Sequence, residues 1–440
     1  MKILHYITQR KRAFTGLGLG LLLVLLSGCA SSELKPLMPT PVLISELEVG
    51  PLDHVPIGQR WTPRQVYYVT TRERDLDFKY VFYTNKEAKQ ASLGLALVEF
   101  GDPDLGWDDL HQLSRIPVRE VDVPLSISGI VEAGKFRSPS NPKALDRKGS
   151  TDWWLADLNA SIDDARDKDI LIYVHGAKVD FYNACIFAAQ LDHFMGRDMT
   201  SIAFSWPTRQ NIFAYSFGDD VNRAYRSAAT LADLLELLAA NSNARDINIV
   251  SWSAGGRLVT KALADLRARH PDLNHEGLQK KLRIGTVYFA ASDVPRAEFL
   301  QALPSIDAIS DRIVVTTSDN DGALNQAQRF MGGGPRIGQV ASDLSEKEKQ
   351  IVLATENLEV VDLSTGSEER GFNIDGHRYW FDHPWASSDV ILAIRSDLDP
   401  ENRGLNPTKN RIHWMVPPDY PERLHEYMIR PDLELRRPTK

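Results

Sequence analysis

Short apolar runs separated by polar and turn residues set the rhythm of the chain from about residue 165 onward. Ile170 to Val174, Ser201 to Trp206, Ile247 to Val250, Ile284 to Ala290, Ile313 to Thr317 and Leu358 to Asp362 are each brief and rich in apolar or β-branched residues. Runs of this length and composition predict strands. Helical stretches lie between them, at 182–194, from Asp219 or Asp220 to about Ala240, and over Gly255 to Ala268. Asp at the head of the second is a natural cap for free backbone N–H groups. Strands alternating with helices predict a mostly parallel sheet covered on both faces. In such sheets ligands bind at the carboxyl ends of the strands. Candidate chemistry is therefore sought just after each strand.

The earlier chain has a different texture. Gln65 to Thr70, Leu93 to Val98 and a short stretch near Val118 to Val123 read as strands, and no internal repeat is visible. This divides the chain into a strand-rich part, 64–160, an α/β core, 161–400, and a C-terminal extension, 401–440. Residues 29–63 carry Pro36, Pro39, Pro41, Pro51, Pro56 and Pro63 and read as an extended tether. Residues 1–28 read as an export signal. Lys2, Arg10, Lys11 and Arg12 precede an uncharged, leucine-rich run from Gly16 to Leu26. That run is short for a hydrocarbon core of ~30 Å but suits a signal peptide. It ends in Leu26-Ser27-Gly28-Cys29, which resembles a bacterial lipobox. The resemblance implies a lipidated Cys29 and a protein of the bacterial envelope, in the outer membrane if the cell has one. More than one acyl chain gives lasting attachment.

Composition narrows the function classes. The 440 residues are 43% hydrophobic and 25% charged, which excludes a fully disordered chain. The net charge of −8 becomes −12 once residues 1–28 are removed. That balance argues against nucleic-acid binding through phosphate neutralisation. With Cys29 acylated only Cys185 remains, so no intrachain disulfide is expected. Cys185 sits among Ala184, Ile186 and Phe187, and reads as a buried helix residue. No phosphate-loop or H-E-x-x-H pattern occurs, and no metal or organic cofactor is expected.

The strand Ile247 to Val250 runs into Ser251-Trp252-Ser253-Ala254-Gly255-Gly256 and then a helix. This is the context of a nucleophile elbow, in which a serine occupies a strained strand-to-helix turn. Small residues are needed two before and two after it, and Ser251 and Gly255 are small. Ser253 is thus the candidate nucleophile. The first strand of the core ends in His175-Gly176-Ala177, an element that can present backbone N–H groups to a substrate oxygen. Gly176 lets the chain pass close, and the amides of Ala177 and Ala254 are the candidate oxyanion donors. His175 precedes the serine and reads as structural. In this fold the acid and the base follow the nucleophile, in that order. Asp321, in Ser318 to Leu324 after the second strand beyond the serine, is the first candidate acid. Asp293 and Asp319 are alternatives. His377, in Asp375-Gly376-His377-Arg378, is the candidate base, with His383 its competitor.

Together these residues resemble the α/β-hydrolase family of bacterial esterase/lipase-like proteins of unknown function. Val69-Thr70-Thr71-Arg72 is similar to a Thr-Asn-Arg element of that family. Phe204-Ser205-Trp206-Pro207-Thr208 resembles its Ser-Trp-Pro-Ser, Arg336-Ile337-Gly338 its Arg-x-Gly, and Gly376-His377-Arg378-Tyr379 its Gly-His-Ser-Tyr. The chain departs from the pattern at Trp252, where His is usual, and at Ala177 and Lys178, where Tyr and Asn are usual. The resemblance implies an α/β-hydrolase fold and hydrolysis of a small ester or lipid by Ser253, His377 and an aspartate. The alternative is a catalytically silent hydrolase-like lipoprotein that serves as a binding or envelope-assembly factor.

Overall fold

The computed structural model describes residues 35–46, 50, 52–136, 138, 149–210, 218–319, 321–339, 344–364, 377–408 and 412–428. Cys29 and residues 1–28, the stretch that reads as an export signal, lie outside the described residues. The fold below belongs to one compact unit, Pro36–Lys440.

Among the described residues, nine principal strands belong to one twelve-stranded sheet. In chain order they are β1 (Arg64–Arg74), β2 (Tyr83–Phe100), β3 (Pro124–Lys135), β4 (Ile170–Val174), β5 (Thr200–Ser205), β6 (Ile247–Trp252), β7 (Ile284–Ala290), β8 (Ser310–Thr317) and β9 (Leu358–Asp362). Across the sheet the order is β3-β2-β1-β5-β4-β6-β7-β8-β9. From β1 to β9 every pair is parallel, while β2 and β3 add antiparallel to β1. The expected architecture is present: an α/β-hydrolase fold with a strand-rich N-terminal region.

The alternation of side chains explains why both faces are covered. Leu171, Tyr173 and Val250 pack on one face with the helices Phe181–Phe194 and Pro384–Arg395. Ile172, Val174 and Ile249 pack on the other with Asp219–Asn241, Gly255–Ala268 and Arg296–Asp307. Successive strand residues point to opposite faces, so a strand apolar throughout needs a helix on each side.

Two stretches differ from expectation, and a third is now placed. The Pro-rich segment is seated in the fold from Pro36 on. Leu37, Met38, Leu43 and Ile44 are buried, and Leu43 N donates to Ser388 Oγ at 3.0 Å. The prolines limit regular structure here to a short helical turn, Val42–Ser45, and a strand end at Pro36, and do not prevent the apolar residues between them from packing. The strand expected at 118–123 instead begins at Pro124. The C-terminal extension is anchored by buried Tyr420 and Leu424, Tyr420 lying 5.9 Å from the Trp385 ring. Among the described residues no helix is long and apolar enough to cross a membrane.

Candidate active site

β6 delivers Ser253 into a turn with φ of 52°. A non-glycine residue in this left-handed region is disfavoured by roughly 1–2 kcal/mol, so the neighbours must hold it. Ser253 N donates to Ala290 O at 3.0 Å, and its carbonyl accepts from Gly256 N at 3.0 Å and Asp293 N at 3.1 Å. The helix Gly255–Ala268 starts at once, with Ala254 as its N-cap. A Cβ at Gly255 would lie 2.6 Å from Val174 O and 2.7 Å from His175 O, so only glycine fits there. Ser251, two residues before the turn, is buried and turns its hydroxyl to Tyr288 O at 3.2 Å. These contacts account for the small residues on both sides of Ser253.

His377 Nε2 lies 2.5 Å from Ser253 Oγ, and His377 Nδ1 lies 2.8 Å from Asp321 Oδ2. Asp321 is buried, and its other oxygen caps the helix Gly322–Met331 by accepting from Ala323 N at 3.1 Å and Leu324 N at 3.0 Å. One oxygen is thus fixed by the helix start and the other faces the imidazole. A carboxylate accepts only, so Nδ1 carries the proton and Nε2 presents a lone pair to the serine hydroxyl.

The structure also places the other candidates. Asp293 is buried between two guanidinium groups, 3.1 Å from Arg257 Nε and 2.7 Å from Arg336 Nε. With its amide on Ser253 O it braces the turn from behind. Asp319 is exposed, and its amide donates to Ser364 Oγ at 2.9 Å. His383 caps the helix Pro384–Arg395 through Nδ1, which accepts from Trp385 N at 3.2 Å, and burial pushes its pKa down to about 4. Cys185 is buried in a helix, where burial pushes its thiol pKa up.

The loop after β4 runs along the serine. A Cβ at Gly176 would lie 3.0 Å from Ser253 Cβ. Ala177 is the next residue along this loop. Lys178 adopts a φ of 59°, and the loop is pinned beyond it. Val179 O accepts from Arg72 Nη2 at 2.6 Å and from Thr208 Oγ1 at 2.8 Å. His175 is held by Trp206, whose amide donates to Nε2 at 3.1 Å and whose indole donates to the His175 carbonyl at 2.7 Å. Its Nδ1 lies 2.8 Å from Gly176 O, and burial beside Arg72 drives its pKa well down. His175 is therefore a neutral structural residue.

Arg72 is fully buried, which lowers its pKa, while the charges of Asp180 and Asp220 act to raise it. Its guanidinium binds Ser205 Oγ at 2.9 Å and Asn85 Oδ1 at 2.8 Å besides Val179 O. The elements around Arg72, His175 and Ser205 to Thr208, far apart in sequence, thus meet under one loop. Sequence reasoning met Arg72 only as part of a family-like motif. It missed Arg257, and it took Arg336 only as a motif residue. It also missed that the Trp252 indole donates to His377 O at 3.0 Å. The departure from His at 252 was the visible signal.

A second serine–histidine pair lies elsewhere. Ser114 Oγ is 2.7 Å from His193 Nε2, and Arg197 Nε donates to His193 Nδ1 at 3.1 Å. Burial and the nearby arginines push the His193 pKa well down.

A family described as alpha/beta hydrolase of unknown function (DUF900) matches residues 151–391, more than half of the chain. The chain belongs to this family. Ser253, Asp321 and His377 fall inside the DUF900 span, and Arg72 falls before it. Two solved structures are similar at low identity. An uncharacterized protein from Bacillus cereus ATCC 10987 has 16% identity over 47% of this chain and 57% of its own, with a TM-score of 0.29. The chain thus spans little more than half of that protein. Carboxylesterase CesB (YbfK) from Bacillus subtilis has 13% identity over 52% of this chain and 83% of its own, with a TM-score of 0.24. No curated protein matches. Among the described residues, no group of three or more His, Cys, Asp and Glu side chains could hold a metal ion.

Proposed function

We propose that this DUF900 protein is a serine hydrolase of carboxylic esters, held to the bacterial envelope through a lipid on Cys29. The observation that carries the reading is the hydrogen-bonded series Ser253–His377–Asp321 on a strained strand-to-helix turn. In this mechanism Ser253 Oγ attacks the acyl carbon while its proton passes to His377 Nε2. Asp321 holds the imidazole in the accepting tautomer and stabilises the imidazolium. The amides of Ala254 and Ala177 receive the oxyanion. As the tetrahedral intermediate collapses, the alkoxide leaves with the proton from His377. Water then attacks the acyl-enzyme by the same route in reverse, with His377 as base. The buried charge of Arg72 beneath the 175–179 loop favours the negative intermediate.

Fluorophosphonate labelling of wild type beside Ser253→Ala tests the reading. Label in wild type alone, with turnover of a short p-nitrophenyl ester lost in the variant, is the expected result. Equal label in both proteins would mean that another serine reacts. No label in either folded protein would favour the silent binding lipoprotein.

A further inference from the structure

The compact unit receives its chain at one edge of the sheet and carries the candidate site at the other. Leu37 N donates to Val123 O at 2.8 Å, just before β3. The start of β3 lies beside the end of β2, with Leu125 opposite Phe100, and the end of β2 lies beside Arg64, the first residue of β1. β1 runs parallel to β5 and the core, so Leu37 sits at the amino-terminal edge of the parallel strands. Ser253 and Asp321 follow the carboxyl ends of β6 and β8. Core strands of five or six residues separate the two edges by roughly 20 Å.

The amino-terminal edge gathers exposed apolar side chains. The loop before β1 exposes Ile57 (82%) and Trp61 (66%), and the loop between β2 and β3 exposes Ile116 (40%), Val118 (73%) and Val121 (69%). The two loops are bound together. Asp53 lies 2.5 Å from His111 Nε2, and Arg197 donates to Trp61 O at 2.5 Å while lying 5.3 Å over the Trp107 ring. Arg119 donates to the carbonyls of Leu37, at 2.7 Å, and Met38, so the patch borders the point of chain entry. Cys29 stands seven residues before Pro36. Seven residues span at most about 25 Å.

We propose that this edge is a lipid-docking surface. Ile57, Trp61, Ile116, Val118 and Val121 enter the headgroup boundary of the bilayer that holds Cys29, and the Ser253 site faces the water. The proposal rests on the lipoprotein reading above. Tryptophan and branched aliphatic side chains suit that boundary. Glu120 and Asp122 are exposed among them, so the contact is apolar, not electrostatic, and does not require anionic lipid. A rival patch, Leu76, Phe78 and Tyr80, tips the β1–β2 hairpin at the site's own edge. The short connection to Cys29 and the place of chain entry favour the first. It follows that the substrate reaches Ser253 from solution, because lipids of the anchoring leaflet lie under the opposite edge.

The test uses the full lipidated chain in phosphatidylcholine vesicles, with an environment-sensitive fluorophore on Val118→Cys or, separately, on Lys79→Cys. Cys185 is buried, so with Cys29 acylated each variant offers one reactive thiol. Ester turnover reports that each labelled protein is folded. Doxyl-labelled lipid is expected to quench the probe at 118 severalfold more than the probe at 79, at low and high salt alike. Quenching at 79 and not at 118 would overturn the proposal, as would no quenching at either. Mass spectrometry of Cys29 separates the two failures. An acylated chain with an unquenched 118 probe sinks the docking surface alone, whereas a chain without lipid sinks the anchoring reading and the docking surface together.

Discussion

The two serine–histidine pairs have nearly the same geometry and opposite polarity. At Ser253 the far nitrogen of the imidazole faces a carboxylate, and at Ser114 it faces a guanidinium. Asp321 accepts a hydrogen bond from Nδ1–H of His377 and leaves Nε2 free to accept from Ser253. Arg197 Nε–H donates a hydrogen bond to Nδ1 of His193, so Nε2 must carry the hydrogen and donate to Ser114 Oγ. Ser114 in turn donates to Leu110 O at 2.7 Å. The first pair can withdraw a proton from its serine, and the second cannot. Proximity of serine and histidine is therefore no evidence of a nucleophile until the third partner is known.

Mutations can break or sharpen this contrast. Ser253→Ala is expected to lower kcat for a p-nitrophenyl ester by about 10⁴-fold or more, measured by steady-state turnover. Asp321→Asn can donate to Nδ1 and would give the His377 pair the polarity of the His193 pair. We expect a loss in kcat of about 10³–10⁴-fold with KM little changed. A loss below tenfold would show that Asp321 does not set the tautomer. Arg72→Gln keeps hydrogen-bonding capacity but removes the buried charge under the 175–179 loop. A kcat loss of about 10–100-fold is expected, below that for deleting an oxyanion donor itself. Weaker binding of a boronic acid with unchanged product inhibition would separate charge from misfolding.

Ser114→Ala is the control. Turnover should stay within about twofold, while chemical denaturation should report a stability loss of about 1–3 kcal/mol, because the buried His193 N–H loses its acceptor. Appreciable loss of turnover in this folded variant would erase the contrast. The smallest effect concerns His383, whose pKa near 4 lies below its ordinary value. The unfolded chain then binds the extra proton first. The stabilisation is full above about pH 6.5 and is lost as the pH falls towards 4, amounting to about 3 kcal/mol. His383→Asn keeps a cap and should flatten the acid side of the stability curve. Buried His175 and His193 act in the same direction, so some slope remains.

The core and the serine turn were legible because their signals are local. A five-residue strand, a tight turn of small residues and a helix appear together in a dozen positions. The choice among acids was not local. Asp293 and Asp321 both follow strands, and what divides them is Arg257 and Arg336, which neutralise Asp293. The antiparallel arm was underestimated because the first half of β2, Lys86 to Gln90, is charged and polar on a solvent-facing hairpin, where apolar alternation is absent. The helix Ser150–Asp164 was missed although Trp154, Leu158 and Ile162 recur at four-residue spacing and are buried. Residues 36–45 hid their packing behind prolines.

Trp252 also gives the protein an optical handle. Its indole touches the backbone of His377, and its ring lies 5.8 Å from that imidazole. Charging His377 or withdrawing the loop that bears it would change the emission of this one indole. Difference spectra between wild type and Trp252→Phe would then follow occupancy of the site in real time, with no added dye and before any substrate has been named.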